Sequence, residues 1–128
     1  VTSEPNRPSP FSPRARLGSF AYALRGIVTL FKAEHNARIH AAATIAVVAI
    51  ALVLNVSRVD WCILIVAMAI VWMAEAFNTA IEYVCDLVTS EFHPLVAKAK
   101  DVAAGAVLIA AISAASLGAL VFVPYWVP

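Results

Sequence analysis

Charged side chains are scarce in this sequence: Asp, Glu, Lys and Arg make up 13% of its 128 residues, against 62% hydrophobic residues. A soluble domain of this length usually carries about 25% charged and about 45–50% apolar residues. The composition excludes an ordinary soluble fold and indicates a small integral membrane protein, all-α, with one bundle and no room for a second domain. Glycine is sparse too. Gly18, Gly26, Gly105 and Gly118 are its 4 glycines, too dispersed for a Gly-rich phosphate loop, and the catalytic motif set of soluble kinases is missing. A net charge of +1 excludes nucleic-acid binding through bulk charge. The only cysteines, Cys62 and Cys85, fall on one predicted helix too far apart to pair within it, and read as reduced small hydrophobes. The N-terminal stretch has no apolar core, so no signal peptide is expected there.

What is present divides into a tail, an amphipathic segment and three apolar runs. Residues 1–13 contain four prolines and no apolar period, which predicts a disordered tail ahead of a single membrane domain, 14–128. Leu17, Phe20, Leu24, Ile27, Val28 and Phe31 then cover an arc of about 100°, with Arg25, Thr29 and Lys32 off it. That pattern predicts a helix at about residues 16–34 lying in the membrane interface. Spans are expected at about 39–56, 61–88 and 98–123. Asn55, Ser57, Arg58 and Asp60 read as the turn between the first two. The polar stretch TSEFHPLVAKAKD separates the last two, with His93-Pro94 suited to a helix start. In the third span Ala106, Ala110, Ala114 and Gly118 recur every fourth residue, a small-residue face for close helix contact. Trp61, Tyr125 and Trp126 suit an aromatic belt at one interface.

Basic residues set the expected orientation. Arg14, Arg16, Arg25, Lys32 and Arg38 precede the first span, Lys98 and Lys100 lie between the second and third, and Arg58 alone lies in the opposite loop. The positive-inside rule then puts the N-terminus in the cytoplasm and the C-terminus outside.

The chemistry concentrates in the run WCILIVAMAIVWMAEAFNTAIEYVCDLV. At about 100° per residue Glu75, Glu82 and Asp86 share a stripe about 40° wide, bordered by Asn78. A carboxylate at membrane depth costs about 2.5–3.5 kcal/mol even on the lenient insertion scale, so this stripe implies cations, metal or protons. Three readings fit. In metal-assisted phosphoryl transfer, Glu34 and Glu82 would supply carboxylates to Mg²⁺, Lys100 would face phosphate, and Glu75, about two turns deeper, would meet a lipid hydroxyl. A proton-coupled transporter subunit, or a structural bundle with carboxylates paired across subunits, are the other two. Simpler roles also stand: Glu34 as an i,i+4 partner of Arg38, Asp101 as a helix-start residue, and His35 and His40 as interfacial residues without chemistry. Three thin helices predict no enclosed pocket in one chain, hence lateral substrate entry between subunits.

EAFNTAIEYVCDLV, SEFHPLVAKAKDVAAGAVLIAAI and, before the first span, FKAEHNARIH resemble the motifs of the bacterial membrane diacylglycerol kinase and undecaprenol kinase family, in order and spacing over residues 20–112. The resemblance implies a homotrimer of three-span subunits with a surface helix, in the bacterial inner membrane. It implies transfer of the ATP γ-phosphate to a lipid alcohol at the cytoplasmic interface, with Mg²⁺ required. On that basis Glu75 matches the general base, Glu34 and Glu82 the metal ligands, and Asn78, Asp86, Lys100 and Asp101 residues needed for ATP or catalysis. Glu91, Phe92 and His93 match a nucleotide-contacting segment, and Tyr22 an aromatic near adenosine. Ala15 stands where the family has an N-terminal arginine; Arg14 and Arg16 flank it, and Arg16 is taken as the nucleotide contact. NARIH and HPL look more like the undecaprenol kinase branch, so undecaprenol is the expected substrate and diacylglycerol the alternative.

Overall fold

A computed structural model describes residues 13–33 and 35–127. Among the described residues the chain is helical throughout: α1 (Pro13–Ala33), α2 (His35–Val53), α3 (Arg58–Val88) and α4 (Pro94–Trp126). Residues 1–12 of the expected disordered tail lie outside the described residues, and Pro13, assigned to that tail, instead opens α1. The first helical position suits proline, whose missing N–H has no intrahelical partner to lose. α1 forms one compact unit and α2–α4 another.

Helices α2, α3 and α4 are each long and apolar enough to cross a membrane. α3 packs extensively on α4 and more lightly on α2. All three helices start before the expected spans, α3 and α4 at side-chain caps, while α2 stops at Val53, short of the expected 56, α3 ends at Val88 as expected and α4 runs on to Trp126. Asn55, at φ 49°, is the one non-glycine residue with positive φ among the described residues and closes the α2–α3 turn. Asparagine tolerates this left-handed conformation better than most residues. Ser57 then caps α3: its Oγ accepts from the Asp60 N–H at 3.2 Å and donates to Asp60 Oδ2 at 2.7 Å. Arg58 and Asp60, expected in the turn, are therefore already helical.

Tyr125, near the C-terminal end of α4, ties that helix to this turn. Its hydroxyl accepts from the Ser57 N–H at 3.0 Å and donates to Asp60 Oδ2 at 2.6 Å. Beneath this clamp Ala51, Val56, Leu64 and Val121 form a buried cluster, with Trp61 and Phe122 packed against it. Trp61 and Tyr125 thus share one end of the bundle, as the aromatic pattern suggested.

At the other end His93 caps α4, its Nδ1 accepting from the Leu95 N–H at 3.3 Å, with Pro94 as the first helical residue. Asp101 is consequently well inside the helix and is not a helix-start residue. The small-residue face is buried in part, with Ala110 buried and Ala114 and Gly118 half-buried. Ala103, Val107, Ala110 and Val121 are the buried residues of α4, whereas Ala106 is exposed. A Cβ added at Gly118 would meet nothing within 4 Å, so no close helix contact requires glycine there.

Candidate active site

The buried residues of α3 are Leu64, Ala67, Val71, Glu75, Asn78, Thr79 and Cys85. Apart from Thr79 they follow one another at helical three- and four-residue steps, with Glu82 filling the remaining one. The seam that packs on neighbouring helices is apolar up to Val71 and turns polar at Glu75. Exposure then rises along the stripe: Glu75 is 0% exposed, Glu82 half-buried and Asp86 exposed.

Three contacts organise these groups. His40 of α2 places Nε2 3.8 Å from Glu75 Oε2, within ion-pair reach but longer than a hydrogen bond. Asn78 Nδ2 donates to Glu82 Oε1 at 2.9 Å. Lys100 Nζ donates to Asp86 Oδ1 at 2.6 Å, joining α4 to the end of α3. Asn78 Oδ1 and Thr79 Oγ1 are buried and accept no hydrogen bond from the described residues. A buried polar atom left so costs about 1–3 kcal/mol.

Beside the Lys100–Asp86 pair lies an open pocket of about 450 Å³. Asp86, Glu91, Phe92, His93 and Lys100, singled out on separate sequence motifs, all line it. The α3–α4 connection is shaped locally, with Thr89 Oγ1 accepting from the Glu91 N–H at 3.0 Å. Phe92 is 86% exposed, so its ring face is available for stacking. Asp101 is exposed and does not line this pocket. Arg16 and Tyr22 are exposed on α1, where the Arg25 guanidinium lies over the Tyr22 ring, 5.6 Å from its centroid. Glu34 lies outside the described residues.

Among the described residues no three His, Cys, Asp or Glu side chains gather as a metal-binding group. A nucleotide-borne hard cation needs only one or two protein carboxylates plus phosphate oxygens. The half-buried Glu82 carboxylate, with one oxygen held by Asn78, has the right donor chemistry for that task.

A second cavity, an apolar groove of about 390 Å³, runs between α2, α3 and α4. Val47, Leu64, Val71, Ala115 and Phe122 are among its walls, and His40 lines it as well. One chain therefore does hold a hydrocarbon-lined space, open rather than enclosed. His40, beside Glu75, and the buried Thr79 are polar residues of this seam that sequence reasoning passed over. The available signal for His40 was register: Ala37, His40, Thr44, Val47 and Ala51 recur at three- and four-residue steps, and Ala37 and Ala51 are fully buried. The other faces of α2 are apolar too, which masked that seam.

Residues 21–122 match the family described as prokaryotic diacylglycerol kinase. An undecaprenol kinase of Bacillus subtilis (strain 168) is 40% identical over 106 residues, covering 83% of this chain and 86% of that protein. A diacylglycerol kinase of Synechocystis sp. is 38% identical over 109 residues, covering 84% of this chain but only 62% of its own longer sequence. The diacylglycerol kinase of Escherichia coli (strain K12) is 37% identical over 93 residues, or 73% of this chain and 76% of the relative. With its membrane-length helices and matched motifs, the chain belongs to the prokaryotic diacylglycerol kinase family, a bacterial multi-pass membrane protein related to lipid kinases.

Proposed function

We propose that this protein phosphorylates undecaprenol, using ATP and Mg²⁺, at the cytoplasmic face of the bacterial inner membrane. The observation that carries the reading is the Lys100–Asp86 pair in the pocket lined by Glu91, Phe92 and His93, where Asp86 ends the carboxylate stripe that the buried Glu75 begins on α3. Phosphoryl transfer asks mainly for positioning and electrostatics, and this arrangement supplies a cation, carboxylates and an exposed ring without a Gly-rich loop.

The lipid hydroxyl oxygen attacks the γ-phosphorus, the bond from that phosphorus to the bridging oxygen breaks, and ADP leaves. Glu75 accepts the hydroxyl proton. Lys100, in reach of Asp86, offsets charge on the transferring group, and Asn78 orients the Glu82 carboxylate. Glu34 and Glu82 would hold Mg²⁺, which when bound neutralises phosphate charge. Glu91, Phe92 and His93 receive the nucleotide, with Asp101, Arg16 and Tyr22 as further nucleotide contacts. The apolar groove that His40 helps to line suits part of the isoprenoid chain.

The protein works as a homotrimer, with α1 at the membrane surface, the N-terminus cytoplasmic and the C-terminus outside. The basic residues flanking the first span and between the second and third support that orientation. Exposed apolar side chains on all three spans, among them Ile45, Phe77 and Leu108, support burial against lipid and sister subunits.

The NARIH and HPL motifs and the Bacillus relative favour undecaprenol. The Synechocystis and Escherichia relatives favour diacylglycerol as the second reading, with phosphatidic acid as product. Membranes containing the protein, supplied with ATP and equal amounts of both lipids, should form undecaprenyl phosphate faster. A dominant phosphatidic acid product would overturn the undecaprenol assignment, and no lipid phosphate at all would overturn the kinase.

A further inference from the structure

We infer that His40 is a positioning residue that holds the Glu75 carboxylate in the orientation from which it takes the substrate proton. The inference rests on the reading of Glu75 as the base. Glu75 is 0% exposed, while the His40 side chain retains 16% exposure and lines the apolar groove. The imidazole thus borders the groove and also approaches the carboxylate, with Nε2 3.8 Å from Oε2.

The imidazole is itself held. Its ring meets the Trp72 ring edge to face, with centroids 6.4 Å apart and planes at 71°. The Trp72 indole N–H donates to Thr44 Oγ1 at 3.1 Å. His40 and Thr44 are one turn apart on α2, and Trp72 and Glu75 nearly one turn apart on α3, so the four side chains form a clamp across the two helices. Such a clamp has a chemical purpose. A carboxylate in a dry, low-dielectric seam is oriented by a nearby imidazole N–H dipole, which attracts it electrostatically at 3.8 Å without a hydrogen bond. A histidine kept only for its volume would need neither the fixed ring nor a nitrogen turned to the carboxylate.

The test compares His40→Ala, His40→Gln and His40→Phe with the unaltered full-length protein in bilayers, measuring kcat and KM for ATP and for the lipid alcohol. His40→Ala should lower kcat between about 10- and 100-fold, the usual cost of losing reacting-group alignment, with both KM values nearly unchanged. His40→Gln keeps a side-chain N–H and should recover most of the rate. His40→Phe keeps a ring against Trp72 without the nitrogen and should not. Adding His40→Ala to Glu75→Gln should cause little further loss, because the two act as one unit. Unchanged kcat in the alanine variant, a rise in KM alone, or full activity in the phenylalanine variant would each overturn the inference. If the alanine variant fails to fold, the glutamine and phenylalanine variants decide on the same criteria. Absence of lipid phosphorylation by the unaltered protein removes the kinase reading and this inference with it. Full activity of the His40 variants beside an inert Glu75→Gln removes this inference alone.

Discussion

The two ends of α3 treat their polar groups in opposite ways. At the Asp60 end, the carboxylate accepts hydrogen bonds from Ser57 and Tyr125, the cap is complete, and a buried apolar cluster lies beneath. At the Asp86 end, polar side chains enter the buried seam, and the Asn78 and Thr79 oxygens go without a donor from the described residues. The first end holds three helices together through a buried apolar cluster; the second carries polar side chains along the seam to the pocket at Asp86 and Lys100.

That contrast can be broken by substitutions at each end, and the largest effect belongs to Glu75. Glu75→Gln keeps the shape of the seam and removes the proton acceptor, so turnover should fall at least about 100-fold while ATP still binds. Near-normal lipid phosphorylation by this variant would end the assignment. Lys100→Met removes the cation beside Asp86 and should raise KM for ATP about tenfold, checked by initial rates across ATP concentrations. An unchanged KM would leave the pair a structural link between α3 and α4. Glu82→Gln keeps an acceptor for Asn78 but weakens the hard-cation donor. Its Mg²⁺ requirement for half-maximal activity should rise several-fold, as should that of Glu34→Gln, and identical Mg²⁺ titrations would count against both.

Changes at the Asp60 end should leave kcat per folded molecule alone. Val121→Ala opens a cavity in the buried cluster without touching the apolar groove and should cost about 1–2 kcal/mol, a modest loss because lipid tails also solvate valine. Detergent-resistant unfolding assays would show it; a loss of turnover with no loss of stability would mean the ends are coupled. Tyr125→Phe should have the smallest effect, a slightly lower melting temperature as the link between α4 and the α2–α3 turn weakens.

Hydropathy located the three spans because long apolar runs survive any detail of packing. Their ends were misjudged where a side-chain cap decided the boundary, as with Ser57 starting α3 before Trp61 and His93 starting α4 before Lys98. The carboxylate stripe was legible because helical spacing alone puts Glu75, Glu82 and Asp86 on one face. The pocket lined by Asp86, Glu91, Phe92, His93 and Lys100 was legible as a set of motifs, though not as a shape. His40 was not legible: contact with Glu75 depends on how α2 is rotated against α3, and an all-round apolar helix encodes that rotation weakly. Asp101 shares a motif with Lys100 but not its setting: neighbouring residues of a helix point about 100° apart, and Asp101 is exposed on α4 outside the pocket lining.

The central claim is that acidic side chains in the α3 seam are retained to work on a cation-bound nucleotide. Purified protein in bilayers containing a long-chain alcohol tests it, with ATP consumption and lipid phosphate followed as Mg²⁺ is added and then chelated. The account predicts Mg²⁺-dependent transfer that stops on chelation and is nearly abolished by Glu75→Gln. Transfer that is indifferent to Mg²⁺ and to Glu75, or no transfer to any lipid alcohol, would contradict it.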